Sequence, residues 1–142
     1  YGKDLILGDR DIEWLVMNAC QTIDVNNYVN DWGNAFHGLH MILGFWSFSS
    51  WINILTDDIG EDFADAITSG VPIAEAWLEN ARDFWANLFG QNWPAVISAE
   101  SSSTSTNTVD NDHFWGHGTT VLDIQTPTFL HVRWVEGLIW HN

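Results

Sequence analysis

Two short runs decide most of what this chain can become. "IEWLVMNA" (residues 12–19) and "HMILGFW" (residues 40–46) are apolar at odd and even positions alike. Successive side chains of a strand point to opposite faces, so a run that is apolar on both parities has to be covered on both sides. Such strands belong inside a layered sheet. "WPAVISAE" (residues 93–100) is a third candidate of the same kind.

Helical patterns lie between these runs. The spacing predicts a short helix over Asp31–Leu39. "TDDIGEDFADAITSG" carries a cap signal at Thr56 or Asp57, apolar residues at Ile59, Phe63 and Ile67, and a stop at Gly70. "VPIAEAWLENARDFWANLFG" is the clearest helix: Pro72 suits its first turn, Ile73, Trp77, Ala81, Phe84 and Leu88 form one stripe, and Gly90 closes it. The order strand, helix, strand, two helices, strand predicts an α/β fold with a small, mostly parallel sheet and flanking helices. Residues 1–100 form the expected core. Residues 101–112, beginning "SSSTSTNT", read as a polar loop. Residues 113–142 read as a β-rich tail, with two β segments around Pro127, packed on the core or on a neighbouring subunit.

Charge narrows the function classes. Four Lys plus Arg against nineteen Asp plus Glu give a formal net charge of −15, a field that repels phosphate backbones and excludes nucleic acid as a partner. The uncharged stretch 35–56 is long enough for a membrane span, but its His, Gly, Ser and Asn residues fit a buried strand and a loop instead. With 142 residues and one cysteine, the chain is one domain without an intrachain disulfide. It begins at Tyr1 without a leader pattern, which reads as a mature or trimmed product working outside the cell or at its surface. Ten tryptophans exceed what one core absorbs, so some are expected at interfaces or in a groove.

The single cysteine, Cys20, ends the first apolar run in "VMNACQT". A thiol at the carboxyl end of a parallel strand stands where open α/β sheets place reactive groups, although buried inert cysteine is the commoner use of the residue. The context "VMNACQT", followed by "DWGNAFHGLHMILGFWSFSS" and "FADAITSGVPIAEAWLENARD", resembles the caspase-like cysteine peptidases, especially the CHAT and gingipain-like branches, over residues 11–100. "GLHMILGF" is also similar to a family of exported archaeal and bacterial proteins with this kind of fold. The resemblance implies Cys20 as nucleophile, with an upstream His-Gly supplying the base. None of the nineteen residues before Cys20 is a histidine. An acid cannot replace an imidazole that must accept and return a proton near neutrality. The expectation is therefore either half of a split enzyme, whose histidine comes from another chain or a missing N-terminal half, or a degenerate peptidase that keeps the fold without the chemistry.

"DHFWGHGTT" contains a second His-Gly, which makes His117 the candidate base within the chain. His113 and His117, with Asp110 and Asp112 beside them, have a spacing that could hold Zn²⁺ or Ca²⁺, and His37 and His40 share an i, i+3 spacing. No other cofactor is implied, since P-loop, GxGxxG and GxSxG motifs are all absent. Three functions follow as expectations. The first is a non-catalytic extracellular assembly domain that self-associates into an oligomer or filament through sheet edges and Trp-rich surfaces. The second is the split peptidase with Cys20 as nucleophile, and the third is a Trp-rich module that binds glycan or protein.

Overall fold

The computed structural model describes residues 4–7, 12–47, 59–82, 92–101, 109–119, 121–136 and 139–142. The chain is α/β. Its elements are β1 (Trp14–Val16), α1 (Tyr28–Trp32), β2 (Met41–Phe45), α2 (Ile59–Thr68), α3 (Ile73–Asn80), β3 (Pro94–Glu100), β4 (Phe129–Glu136) and β5 (Ile139–His141), with a 3-10 turn at Gly33–Ala35 after α1. The five strands form one sheet in the order β1-β2-β3-β4-β5.

Only the first pair is parallel. β1 runs alongside β2, while β2–β3, β3–β4 and β4–β5 are antiparallel. The expectation of a mostly parallel sheet is corrected accordingly. A parallel neighbour requires a crossover that carries the chain back to the end where it started, and the segment containing α1 does this between β1 and β2. Between β2 and β3 lie two described helices joined by the short link 69–72, and β3 runs opposite to β2. An alternation of element types carries no direction for that return.

Strand parity separates two cores. Met41, Leu43, Phe45, Val96 and Val135 face α3, meeting Ile73, Ala74, Trp77, Leu78 and Ala81. Ile42, Ala95, Ile97, Ala99, Leu130 and Val132 face the other side, covered by Ile23, Val25, Trp32, Ala35, Phe36 and Leu39. β2 and β3 are buried along their whole length, as runs apolar on both parities require. β1 is shorter than the predicted 12–19 strand and only partly covered, with Val16 43% exposed, because it is an edge strand. The helix expected over 31–39 begins earlier and ends at Trp32. Both strands expected around Pro127 lie after it, as β4 and β5.

The predicted helical stripes hold where they are described. Ile59, Phe63 and Ile67 of α2 pack against the α3 side of the core. Trp77 is 2% exposed, its indole N–H donates to the Gly44 carbonyl at 3.0 Å, and its ring meets Phe45 and Phe63 edge-on at centroid distances of 5.4 and 5.6 Å. On the opposite side of β2, Gly44 leaves room for Thr22: a Cβ there would collide with the Thr22 hydroxyl, which accepts the Phe45 N–H at 2.9 Å. The cap at Thr56 or Asp57, the stripe from Phe84 to Gly90 and the polar residues 102–108 lie outside the described residues. Among the described residues, no helix is long and apolar enough to cross a membrane.

Candidate functional site at the amino ends of β1 and β2

His40 immediately precedes β2 and is fixed by backbone bonds on both sides. Its N–H donates to the Glu13 carbonyl at 2.8 Å, and its carbonyl accepts the Ala99 N–H at 3.0 Å. These bonds hold the imidazole, 2% exposed, at the end of the sheet where β1 and β2 begin.

Three carboxylates from three parts of the chain converge on this ring. Nδ1 lies 2.7 Å from Asp112 Oδ2 and 3.0 Å from Glu13 Oε2, and Nε2 lies 3.4 Å from Asp123 Oδ1. Burial by itself would lower the imidazole's pKa. The Asp112 hydrogen bond and the charges of Asp112, Glu13 and Asp123 outweigh it, and the pKa is raised above the ordinary histidine value. Nε2 is buried and has no hydrogen-bond partner among the described residues.

Asp112 is itself well anchored. Its Oδ2 also accepts the Trp14 indole N–H at 2.8 Å, and its Oδ1 accepts the His113 N–H at 2.9 Å. Its carbonyl accepts the Ile73 N–H at 2.8 Å, satisfying a donor at the start of α3 that has no partner within the helix. The turn holding it is closed by the Asp112 N–H to the Val109 carbonyl at 2.9 Å, with Val109 fully buried.

A cavity of about 340 Å³ opens above this group. Glu13, Trp14, His40 and Asp112 contribute to its lining, together with residues 113–119 and Val121. His117 is seated against Gly70, whose φ of +95° follows α2, so a side chain at Gly70 would be strained and would crowd the imidazole. Phe114 lies 6.4 Å from Trp14, ring to ring. Trp115 is 85% exposed, the most exposed large apolar side chain among the described residues.

The residues singled out in the sequence are divided by the structure. His113, His117 and Asp112 meet at this cavity. Asp110 instead turns to the sheet, accepting from Ser98 Oγ at 2.5 Å and pairing with His131 at 2.9 Å and Arg133 at 3.4 Å. Of the His37–His40 pair, only His40 lines the cavity. Cys20 is exposed in the turn that follows β1, and its neighbour Gln21 donates from its backbone to Ser47, just after β2. Cys20 and His117 therefore stand at opposite ends of the parallel pair.

Sequence reasoning missed Glu13 and Asp123 as partners of His40, and took Glu13 as part of a buried strand. The available signal was the pair of acids at the margins of apolar runs, next to a histidine that begins another. Which acid meets which histidine is set by sheet register, with Trp14 opposite Met41.

The chain matches the family DUF6345, described as a domain of unknown function, over residues 2–136. No curated protein and no solved structure matches it.

Proposed function

The chain belongs to the DUF6345 family, and we propose that it is a binding module whose ligand enters the cavity at the amino ends of β1 and β2. The observation that carries this reading is Trp115, an almost fully exposed indole on the wall of a cavity whose floor is a buried histidine among carboxylates. With Trp14 and the 37% exposed Phe114 on the same lining, Trp115 gives the cavity an apolar patch, and such patches mark interaction sites. The ligand class we propose is a hydroxyl-rich glycan. The aromatic face accepts the apolar side of a sugar ring, and the partly exposed Glu13 carboxylate offers an acceptor to its hydroxyls. An acidic domain of this kind is suited to work outside the cell.

Titration of the protein with a panel of oligosaccharides, followed by tryptophan fluorescence, is expected to give a saturable change with at least one member. Trp115→Ala is expected to weaken that binding roughly 3- to 10-fold, the scale of about 0.5–1.5 kcal/mol for an aromatic contact. A flat response across the panel would remove the glycan reading.

A second reading, self-assembly through a sheet edge, is favoured by one separate observation. β5 pairs only with Trp134–Glu136, so among the described residues Phe129–Arg133 of β4 have no strand on that side. Beside that open edge, Ile139 is 63% and Trp140 40% exposed. Light scattering across a concentration series is expected to show dimers or larger species, and Ile139→Lys to suppress them. A monomer at every concentration counts against this reading. The split-peptidase alternative needs a base at the carboxyl end of β1, where Cys20 stands, whereas His117 lines the cavity at the other end.

A further inference from the structure

We propose that Glu13, His40 and Asp123 form a binding site for a divalent transition-metal ion of the Zn²⁺ class, with Asp112 orienting the histidine from behind. The site shares Glu13 with the cavity of the glycan reading, but it is inferred without any sugar contact, and its test reads metal binding alone.

The first observation is geometric. Glu13, His40 and Asp123 each present one ligand atom, and the three atoms lie within 4.8 Å of one another. Ligands bound at about 2.0–2.2 Å to one ion stand roughly 3–4 Å apart, so the carboxylates have to close on the ring. Asp123 already stands on the Nε2 side, and Glu13, whose Oε2 lies 3.0 Å from Nδ1, has to swing towards it; their side chains, 47% and 39% exposed, are free to do so. The histidine does not have to move.

The second observation is the unpartnered nitrogen. His40 is 2% exposed, yet among the described residues Nε2 has no hydrogen-bond partner, and Asp123 Oδ1 lies 3.4 Å from it. A buried polar atom without a partner is costly unless something fills the position. Nδ1 lies at 2.7 Å from Asp112 Oδ2, and when it donates that hydrogen bond, the lone pair of the neutral ring sits on Nε2. A carboxylate behind the histidine and a metal in front of it is the arrangement by which metal-binding imidazoles are fixed. Asp112 is held for this purpose by the Trp14 indole and the His113 backbone.

The donor set selects the ion. One imidazole nitrogen and two carboxylate oxygens suit Zn²⁺ and its neighbours, whereas Ca²⁺ and Mg²⁺ favour shells of oxygen alone. The net charge of −15 raises the local concentration of any cation. Glu13 and His40 line the cavity, as do His113 and His117.

Calorimetric titration of chelator-treated, tag-free protein with ZnCl₂ near pH 7.5 tests the site, with CaCl₂ in a parallel arm. One equivalent of Zn²⁺ is expected to bind, and Ca²⁺ at least 10-fold more weakly. The variant Glu13→Gln with Asp123→Asn changes two partly exposed side chains and is expected to retain the fold, checked by circular dichroism. It is expected to lose at least 10-fold in Zn²⁺ affinity, and Asp112→Asn to lose about 10- to 100-fold. In Co²⁺-loaded protein, visible absorption bands are expected to report the nitrogen ligand and to be lost in His40→Gln. Absence of stoichiometric Zn²⁺ binding, affinity unchanged in the double variant, or Ca²⁺ binding as tight as Zn²⁺ would each overturn the proposal.

Discussion

Trp77→Ala is expected to lower the free energy of unfolding by about 3–5 kcal/mol, the range for removing a large aromatic side chain from a packed core. The cost has three physical parts. The ring is almost wholly buried between α3 and β2, so its removal leaves a cavity lined by Phe45 and Phe63, which now meet it edge-on. Two favourable ring contacts disappear with it. The Gly44 carbonyl, which accepts the indole N–H, loses that donor in the interior. Urea unfolding of the purified variant measures the change as a lower midpoint at an unchanged slope. Trp77→Phe is expected to fall between the two proteins, because it keeps most of the packing and loses the hydrogen bond. A midpoint for Trp77→Ala within error of the parent would show that the α3–β2 contact is not what holds the helical layer on the sheet.

Asp110→Ala is expected to cost a similar amount, about 3–5 kcal/mol, for an electrostatic reason. Asp110 is 3% exposed and accepts from Ser98, with His131 and Arg133 paired to its other oxygen. Removing the carboxylate leaves a guanidinium and a hydroxyl under the loop without the group that compensates them. The same pairing has a definite pH dependence. Burial alone would raise the Asp110 pKa, but the His131 hydrogen bond, the Arg133 charge and the Ser98 hydrogen bond outweigh it and hold it below the ordinary aspartate value. A depressed folded-state pKa contributes stability that is fully present above the unfolded value of about 3.9, and that is lost as the pH falls through the folded value. The stability difference between the parent and Asp110→Asn is therefore expected to be constant near neutrality and to shrink below about pH 4. Urea midpoints of both proteins at pH 7 and in acid give that difference directly. A gap that stays the same in acid would mean that the charge on Asp110 contributes nothing.

How much of this was legible beforehand depends on the range of the interaction involved. β2 and β3 were readable because burial on both faces leaves a local mark, an unbroken apolar run. The stripes of α2 and α3 were readable because Ile59, Phe63 and Ile67, or Ile73 and Trp77, recur at the helical period within a few residues. Sheet direction was not readable, because it depends on how the chain returns between β2 and β3. The candidate site follows the same division. His113, His117 and Asp112 lie close together in sequence and were readable as a cluster. His40, Glu13 and Asp123 come from three distant places, and the register of β1 on β2 brings the first two together. Asp110 and Asp112, two residues apart in one turn, looked equivalent in the sequence. The turn sends one carboxylate to the β3–β4 side of the sheet and the other to the cavity floor.

That turn also bears on how the molecule opens. Val109 is buried in the core, Asp110 joins β3 to β4, the Asp112 side chain joins Trp14 to His40, and the Asp112 carbonyl holds the first amide of α3. Three residues of one turn thus tie the sheet, the helical layer and the cavity floor. The region is expected to open as one cooperative unit, its amides exchanging with solvent together instead of fraying one by one, which hydrogen exchange would read. A ligand held at the cavity floor would slow exchange at the Ile73 amide, on the far side of the Asp112 peptide, without touching that helix.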